Sequence, residues 1–329
     1  MAYDFISLPH TSMKLIIQIP CKNEEKHLPQ VLKELPTSIP GIDKIEVLVI
    51  DDGSSDGTSK VAKAHGVHHV IKFPANRWLG TAFRIGVAYS LSHGADIVVN
   101  TDADNQYPSK YIADLVQPIL EGKADIVIGD RRPAKVAHFK RYKKIFQKLG
   151  NVVMWFFTGI QIPDAVSGFR AYSKESLEIL NVTVRFSYVI DTILQAYKKG
   201  LHIERVPITT NAPTRPSRLF SNIWVHMKKS ASSIIRVYTM YEPFRIFLSA
   251  SIPFLIVGLA FVTRFIYFYL FTDLGSGKIQ SLIIWWILTT IGCTFLSVGI
   301  IWDVVGRNRI LIEENLRLTK KLLYKDETP

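Results

Sequence analysis

Acidic and basic side chains gather in four short polar turns, each at the end of an apolar run. The turns are Pro20-Cys21-Lys22-Asn23-Glu24-Glu25, then Asp51-Asp52-Gly53-Ser54-Ser55-Asp56-Gly57-Thr58, then Asp102-Ala103-Asp104-Asn105-Gln106-Tyr107, then Gly129-Asp130-Arg131-Arg132. Each alone has an ordinary explanation, because Asp-Gly and Ser-Asp-Gly are turn and helix-cap sequences. Four in succession point to one constellation. Asp102 and Asp104, one residue apart, offer hard oxygen ligands for Mg2+ or Mn2+ together with the amide oxygen of Gln106. Such an ion takes its remaining ligands from water and phosphate, which fits a nucleoside diphosphate whose departing charge it neutralises. Asp52 can accept from a base or a ribose. A GxxxxGK[ST] loop is absent, and no GxGxxG follows the first apolar run, so ATPase and dinucleotide oxidoreductase readings lose their support.

The apolar runs supply the elements that must hold these turns. Leu15–Pro20, Glu46–Asp52, His68–Phe73, Asp96–Asp102 and Asp125–Asp130 read as strands. Helical spacing covers Glu24–Leu35, Thr58–His65, Leu79–Ser92 and Tyr111–Leu120. This alternation predicts an α/β domain with a mostly parallel sheet and helices on both faces. In such a sheet ligands bind outside the carboxyl ends of the strands, where the four turns stand.

The chain has 329 residues, with 40 Lys and Arg against 28 Asp and Glu, a net charge of +12. At 48% apolar it is no disordered chain, and its 2 cysteines exclude a disulfide scaffold. The basic excess fits an anionic membrane surface or phosphate-bearing substrates. Ile279–Trp302 carries no charge and exceeds the roughly 20 residues that span a bilayer. Ile246–Phe271 is broken only by Arg264, placed to snorkel. Basic residues flank the pair on both outer sides, from Lys228, Lys229, Arg236 and Arg245 to Arg307, Arg309, Arg317, Lys320 and Lys321. The positive-inside rule then puts both termini and the N-terminal domain in the cytoplasm. The N-terminus lacks the order of a secretory signal. The expected organisation is a tail over 1–13, a cytosolic domain over 14–220, an interfacial amphipathic helix over 221–243, two transmembrane helices over 244–303 and a C-terminal helix over 304–329.

The order PCKNEE, DDGSSDGT, DADNQY, GDRR and then Ser167-Gly168-Phe169-Arg170 resembles the family 2 glycosyltransferases of GT-A (Rossmann-like) fold. Within them it is similar to the polyprenyl-phosphate glycosyltransferases, the branch of dolichyl-phosphate mannose synthase. The likeness covers about Leu15 to Leu219. It implies that Asp102, Asp104 and Gln106 hold the metal, and that Pro20, Asn23, Glu24, Asp51 and Asp52 hold the donor nucleotide along with Asp102. It implies phosphate contact for Arg131. A family loop of the form R-x-G-x-S-K is matched imperfectly by Arg215-Pro216-Ser217-Arg218, so Arg215 and Arg218 are donor-binding candidates on a loop without its glycine. Where the family has Glu on a helix this chain has Asp191, either a shortened equivalent or a polar helix residue.

The resemblance implies an inverting transfer of a hexose from a GDP-mannose or UDP-glucose type of donor to polyprenyl phosphate. A phosphate monoester is mostly a dianion at neutral pH, so the acceptor is already a nucleophile and needs cations more than a strong base. Lys140-Arg141-Tyr142-Lys143-Lys144 opens a segment with an apolar helical face, which suits the membrane surface or an ordinary core helix. On the first reading Lys143 and Lys144 meet the acceptor phosphate with Arg131. Asn222–Tyr241 is a second basic amphipathic segment. Asp164 either assists catalysis beside Asp104 and Arg131 or belongs to a plain turn. Leu311–Leu323 packs on the domain or on another copy, so a homo-oligomer stays open. Two alternatives remain: transfer to a glycan or lipid hydroxyl, and a basic membrane-tethered binding protein without activity. The second leaves the strand-end acids unexplained, and no nucleic-acid partner is expected.

Overall fold

The computed structural model describes residues 12–131, 167–183, 188–211, 243–271 and 279–325. The chain divides into two compact units, Met1–Asn222 with Leu316–Pro329, and Ile223–Asn315.

The first unit is a seven-stranded sheet. Its strands are β1 (Lys14–Cys21), β2 (Lys44–Asp51), β3 (His69–Lys72), β4 (Ile97–Asn100), β5 (Ile126–Asp130), β6 (Arg170–Ser173) and β7 (Ile203–Pro207), in the spatial order β3-β2-β1-β4-β6-β5-β7. The helices are α1 (Leu28–Glu34), α2 (Thr58–Ala64), α3 (Leu79–Ser92), α4 (Tyr111–Leu120), α5 (Lys174–Ile179) and α6 (Val189–Lys198). All strands run one way except β6, which pairs antiparallel with both β4 and β5. The mostly parallel α/β sheet expected from the strand and helix alternation is therefore present. Its antiparallel member, the short segment Arg170-Ala171-Tyr172-Ser173, has no apolar run to announce it.

Strand alternation decides which helix covers which face. Leu15, Ile17 and Ile19 of β1 share one core with Leu28 and Val31 of α1, Ala62 of α2, and Ile112, Leu115 and Val116 of α4. The intervening residues face α3, where a Cβ added at Gly86 would meet the Gln18 side chain and Ile50. Both faces are thus covered, as a parallel sheet requires, and the central strands are buried nearly throughout. Helix α1 is regular from Leu28, four residues beyond the expected start at Glu24, although the Glu24 carbonyl already accepts the Leu28 N–H at 2.9 Å; the N–H groups of Glu24 and Glu25 are bound by Thr58 Oγ1 at 2.9 Å and Asp56 Oδ2 at 3.2 Å.

Two further helices, α7 (Pro243–Phe271) and α8 (Ile279–Lys325), are long and apolar enough to cross a membrane. They meet at small residues, with Gly258 against Thr289 and Gly292 against Leu255, as membrane helix pairs do. Helix α8 is continuous, so the second span and the expected C-terminal helix are one element.

At the amino edge of the sheet, Glu46 gathers Lys14 at 2.8 Å, Lys44 at 2.7 Å and His69 at 2.8 Å. Burial alone would raise its carboxyl, but the hydrogen bonds from Lys14, Lys44 and His69 prevail and bring it down to about 2. A carboxyl lowered by folding stabilises the fold above its unfolded value, about 4.3, and loses that contribution as pH falls through the folded value. Glu46→Gln is expected to cost about 1 kcal/mol near neutral pH once solvent screening is allowed for. In thermal melts followed by circular dichroism, the difference from wild type should shrink below about pH 4.5 and be gone near pH 2.

Candidate active site

The carboxyl ends of β1, β2, β4 and β5 open on one edge of the sheet. Because β6 is antiparallel, the Ser167-Gly168-Phe169 turn that precedes it joins the same edge. Neighbouring strands lie about 4.8 Å apart, so the turns after β2 and β4, with β1 between them, are separated by about 10 Å.

The first two turns form one body. Asp51 is wholly buried, and its carboxylate accepts the Ser54 N–H at 2.7 Å and the Ser59 hydroxyl. Ser54 Oγ in turn accepts the Asn23 N–H at 2.8 Å, and Asn23 Oδ1 accepts the Ser55 N–H at 2.8 Å. Asn23 adopts φ 54°, a left-handed conformation that asparagine tolerates. Glu25 Oε2 accepts the Gly57 N–H at 3.0 Å. Asp52 reaches the loop after β3, where its two oxygens accept the N–H groups of Arg77 at 2.6 Å and Trp78 at 3.1 Å. Gly53 makes this approach possible. Its φ is +69°, and an added Cβ would stand 2.5 Å from the Ala75 carbonyl carbon. Asp51 and Asp52 therefore build the edge with their carboxylates. Burial and then the surrounding carboxylates of Asp51, Glu24, Asp56 and Asp52 push the Cys21 thiol far up, so it is no nucleophile.

The third turn presents its acids to the edge. Asp102, Asp104 and Gln106 are half-buried, and Asp104 Oδ1 accepts the Gln106 N–H at 3.1 Å. Asn105 adopts φ 57°, and its carbonyl accepts from Asn211 Nδ2 at 2.9 Å. The Gln106 carbonyl accepts the Asn211 N–H at 3.0 Å, which ties this turn to the chain leaving β7. Among the described residues no three His, Cys, Asp or Glu side chains converge as a complete metal cage. Two carboxylates in a half-open turn are a donor set that suits a hard divalent cation sharing its shell with phosphate oxygens and water.

Pro20 is buried at the end of β1, Glu24 is 4% exposed, and Arg131 is half-buried just beyond β5. These residues share the edge with Asn23, Asp51, Asp52, Asp102, Asp104 and Gln106. Lys143, Lys144, Asp164, Arg215 and Arg218 lie outside the described residues, as do both basic amphipathic segments. Asp191 is described, at 1% exposure in the first turn of α6.

Several residues here were not singled out from sequence. Trp78, 46% exposed with φ 73°, stands at the start of α3 where Asp52 holds its N–H. Gln18 and Asn100, both wholly buried in strands, bond each other at 3.0 Å. Asn100 Nδ2 also donates to the Tyr188 hydroxyl at 2.7 Å and to the Gly168 carbonyl at 3.1 Å. Burial holds the Tyr188 hydroxyl well above its usual range, and the nearby charge of Asp102 adds to the effect. The available signal was a polar residue inside an otherwise apolar strand, since such a group must find a buried partner.

Residues 16–180 match glycosyl transferase family 2. Over 209 residues the chain is 28% identical to the polyprenol monophosphomannose synthase of Mycolicibacterium smegmatis, covering 60% of this chain and 77% of that protein. Over 217 residues it is 30% identical to the UDP-N-acetylglucosamine–dolichyl-phosphate N-acetylglucosaminyltransferase of Methanococcus voltae, covering 58% and 83%. Its fold is similar to that of glucosyl-3-phosphoglycerate synthase from Mycobacterium tuberculosis, solved with Mn2+, UDP-glucose and phosphoglyceric acid. That likeness has a TM-score of 0.55 at 21% identity and covers 69% of this chain and 80% of the other.

Gly53→Ala is expected to destabilise the first unit by about 2 kcal/mol or more, since it adds a clash with backbone to an unfavourable φ. Ala88→Ser, exposed on α3, should change stability by less than about 0.5 kcal/mol. Urea titration of both variants checks the contrast.

Proposed function

The chain belongs to glycosyl transferase family 2 and is a glycosyltransferase, and from that premise we propose that it moves a hexose from a nucleoside-diphosphate sugar to a polyprenyl phosphate at the membrane. The observation that carries this reading is the Asp102-x-Asp104 turn opening on the same sheet edge as the β1 and β2 turns, in a chain with two membrane-length helices. Relatives named for polyprenol and dolichyl phosphate acceptors support the acceptor class.

In this reading Asn23, Glu24 and the β2 turn bind the nucleoside, with Pro20 shaping the floor. Asp102, Asp104 and the side chain of Gln106 hold Mg2+ or Mn2+, which neutralises the leaving diphosphate when bound. Arg131 draws the acceptor phosphate towards the anomeric carbon, and Lys143 and Lys144 extend that cationic surface. Arg215 and Arg218 bind the donor diphosphate. An acceptor phosphate oxygen forms the new bond to the anomeric carbon as the bond to the diphosphate oxygen breaks, and the nucleoside diphosphate leaves with that electron pair. One displacement inverts the anomeric centre. The acceptor is mostly dianionic at neutral pH, so no strong base is required, and Asp164 orients groups around it. The catalytic unit and both termini face the cytoplasm, with α7 and α8 as the anchor and the cytosolic flanks of both helices rich in Lys and Arg.

Full-length protein in detergent, given Mg2+ or Mn2+, a polyprenyl phosphate and each labelled UDP- or GDP-sugar, is expected to move label from one donor into the organic phase. Asp104→Ala should lower that rate by about 100-fold or more, the scale of losing a charge-stabilising group. Transfer to a glycan or lipid hydroxyl and none to the lipid phosphate would refute the acceptor class.

A further inference from the structure

The Ser167-Gly168-Phe169 turn stands directly behind Asp102. The Asp102 carboxylate oxygens lie 3.6 and 3.8 Å from the point a Gly168 Cβ would occupy. Two successive carbonyls of this turn are gripped by side chains that never meet solvent. Ser167 O accepts from Arg170 Nε at 2.8 Å, while Gly168 O accepts from the Tyr188 hydroxyl at 3.0 Å and from Asn100 Nδ2 at 3.1 Å.

The grip is rigid. Tyr188 is 1% exposed, and its ring stacks on Phe83 of α3 with centroids 3.9 Å apart and planes 4° from parallel. Asn100 is held from its other side by Gln18 Nε2. Arg170, wholly buried, binds the Val189 carbonyl at 2.8 Å and Thr192 Oγ1 at 2.9 Å, which fixes the start of α6 and with it Tyr188. Among the described residues Tyr188 is enclosed, away from the open edge. Its hydroxyl accepts from Asn100 Nδ2 at 2.7 Å and donates to the Gly168 carbonyl at 3.0 Å, and through that second bond it sets where the Gly168 backbone stands.

We propose that Tyr188 is a positioning residue: through the Gly168 carbonyl it fixes the wall against which the Asp102 carboxylate is set, and so raises the site's affinity for a divalent cation. The inference rests on the reading above that Asp102 is a cation ligand. Groups hydrogen-bonded directly to a metal ligand are commonly worth 10- to 100-fold in metal affinity, and Tyr188 acts one step further back, through the Gly168 backbone. Asn100 still reaches Gly168 when the hydroxyl is removed, so the lower end of that range applies.

The test is Mn2+ binding to full-length protein in detergent, read from the electron paramagnetic resonance of free Mn2+ with UDP or GDP present. Wild type, Tyr188→Phe and Val116→Ala are compared, the last an ordinary core truncation in α4 that makes no hydrogen bond to the turn. Tyr188→Phe is expected to raise the Mn2+ dissociation constant about 10-fold, with nucleotide binding in the absence of Mn2+ unchanged. Val116→Ala is expected to melt earlier and bind Mn2+ as wild type does. If wild type binds Mn2+ and Tyr188→Phe binds it equally well, or if Val116→Ala weakens binding as much, the positioning role is wrong while the cation site stands. If wild type shows no nucleotide-dependent Mn2+ binding, the reading of Asp102 as a ligand fails, and the inference falls with it.

Discussion

A carboxylate with no exposure to water must be met by donors, and Asp51 at the end of β2 sets this requirement for the whole carboxyl edge. Its oxygens can be satisfied only if the chain turns back at once, bringing the Ser54 N–H and the Ser59 hydroxyl onto them. That turn places Ser54 Oγ under Asn23 and Thr58 Oγ1 under Glu24, so the β1 loop is bound to the β2 loop. Asp52, next in line and also buried, holds the loop after β3. Three loops thus become one surface through two neighbouring buried carboxylates. The residues that look most like ligands in the sequence are in part the frame on which a ligand surface is built.

The same economy appears at β4. Asn100 is the last residue of its strand, and its amide joins Gln18, Tyr188 and the Gly168 carbonyl. Asp102 follows two residues later, half-exposed, against that carbonyl's turn. The inversion of β6 matters here. Were β6 parallel to its neighbours, the turn before it would lie at the amino edge beside Glu46 and its cations. Antiparallel pairing with both β4 and β5 brings Ser167 and Gly168 to the acidic edge.

Much of this was legible in the sequence. Strands β1, β2, β4 and β5 are apolar runs ended by turn residues, and α3 and α4 occupy the stretches that helical spacing assigns them, Leu79–Ser92 and Tyr111–Leu120. The clustering of the four turns followed from topology, because successive parallel strands end on one side. Other features rest on long-range partners that local patterns do not carry. The strand β6 is four residues with a buried arginine that donates to Ser167, Val189 and Thr192. The partners of the Glu24 and Glu25 N–H groups, Thr58 and Asp56, lie more than thirty residues away. The dual use of Asp51 and Asp52 was hidden for the same reason, since a carboxylate's partners are backbone groups and leave no mark in composition.

The central claim is that one sheet edge, built from the turns after β1, β2 and β4 and the turn before β6, forms a single nucleotide-sugar site. Amide hydrogen exchange of the full-length protein, with and without a nucleoside diphosphate and Mn2+, tests it most directly. The account predicts slowed exchange together in residues 21–25, 51–58, 101–107 and 167–169, with the amino-edge residues 44–46 and 96–97 unchanged. Protection at the amino edge, or binding that leaves those four turns exchanging as before, would contradict it.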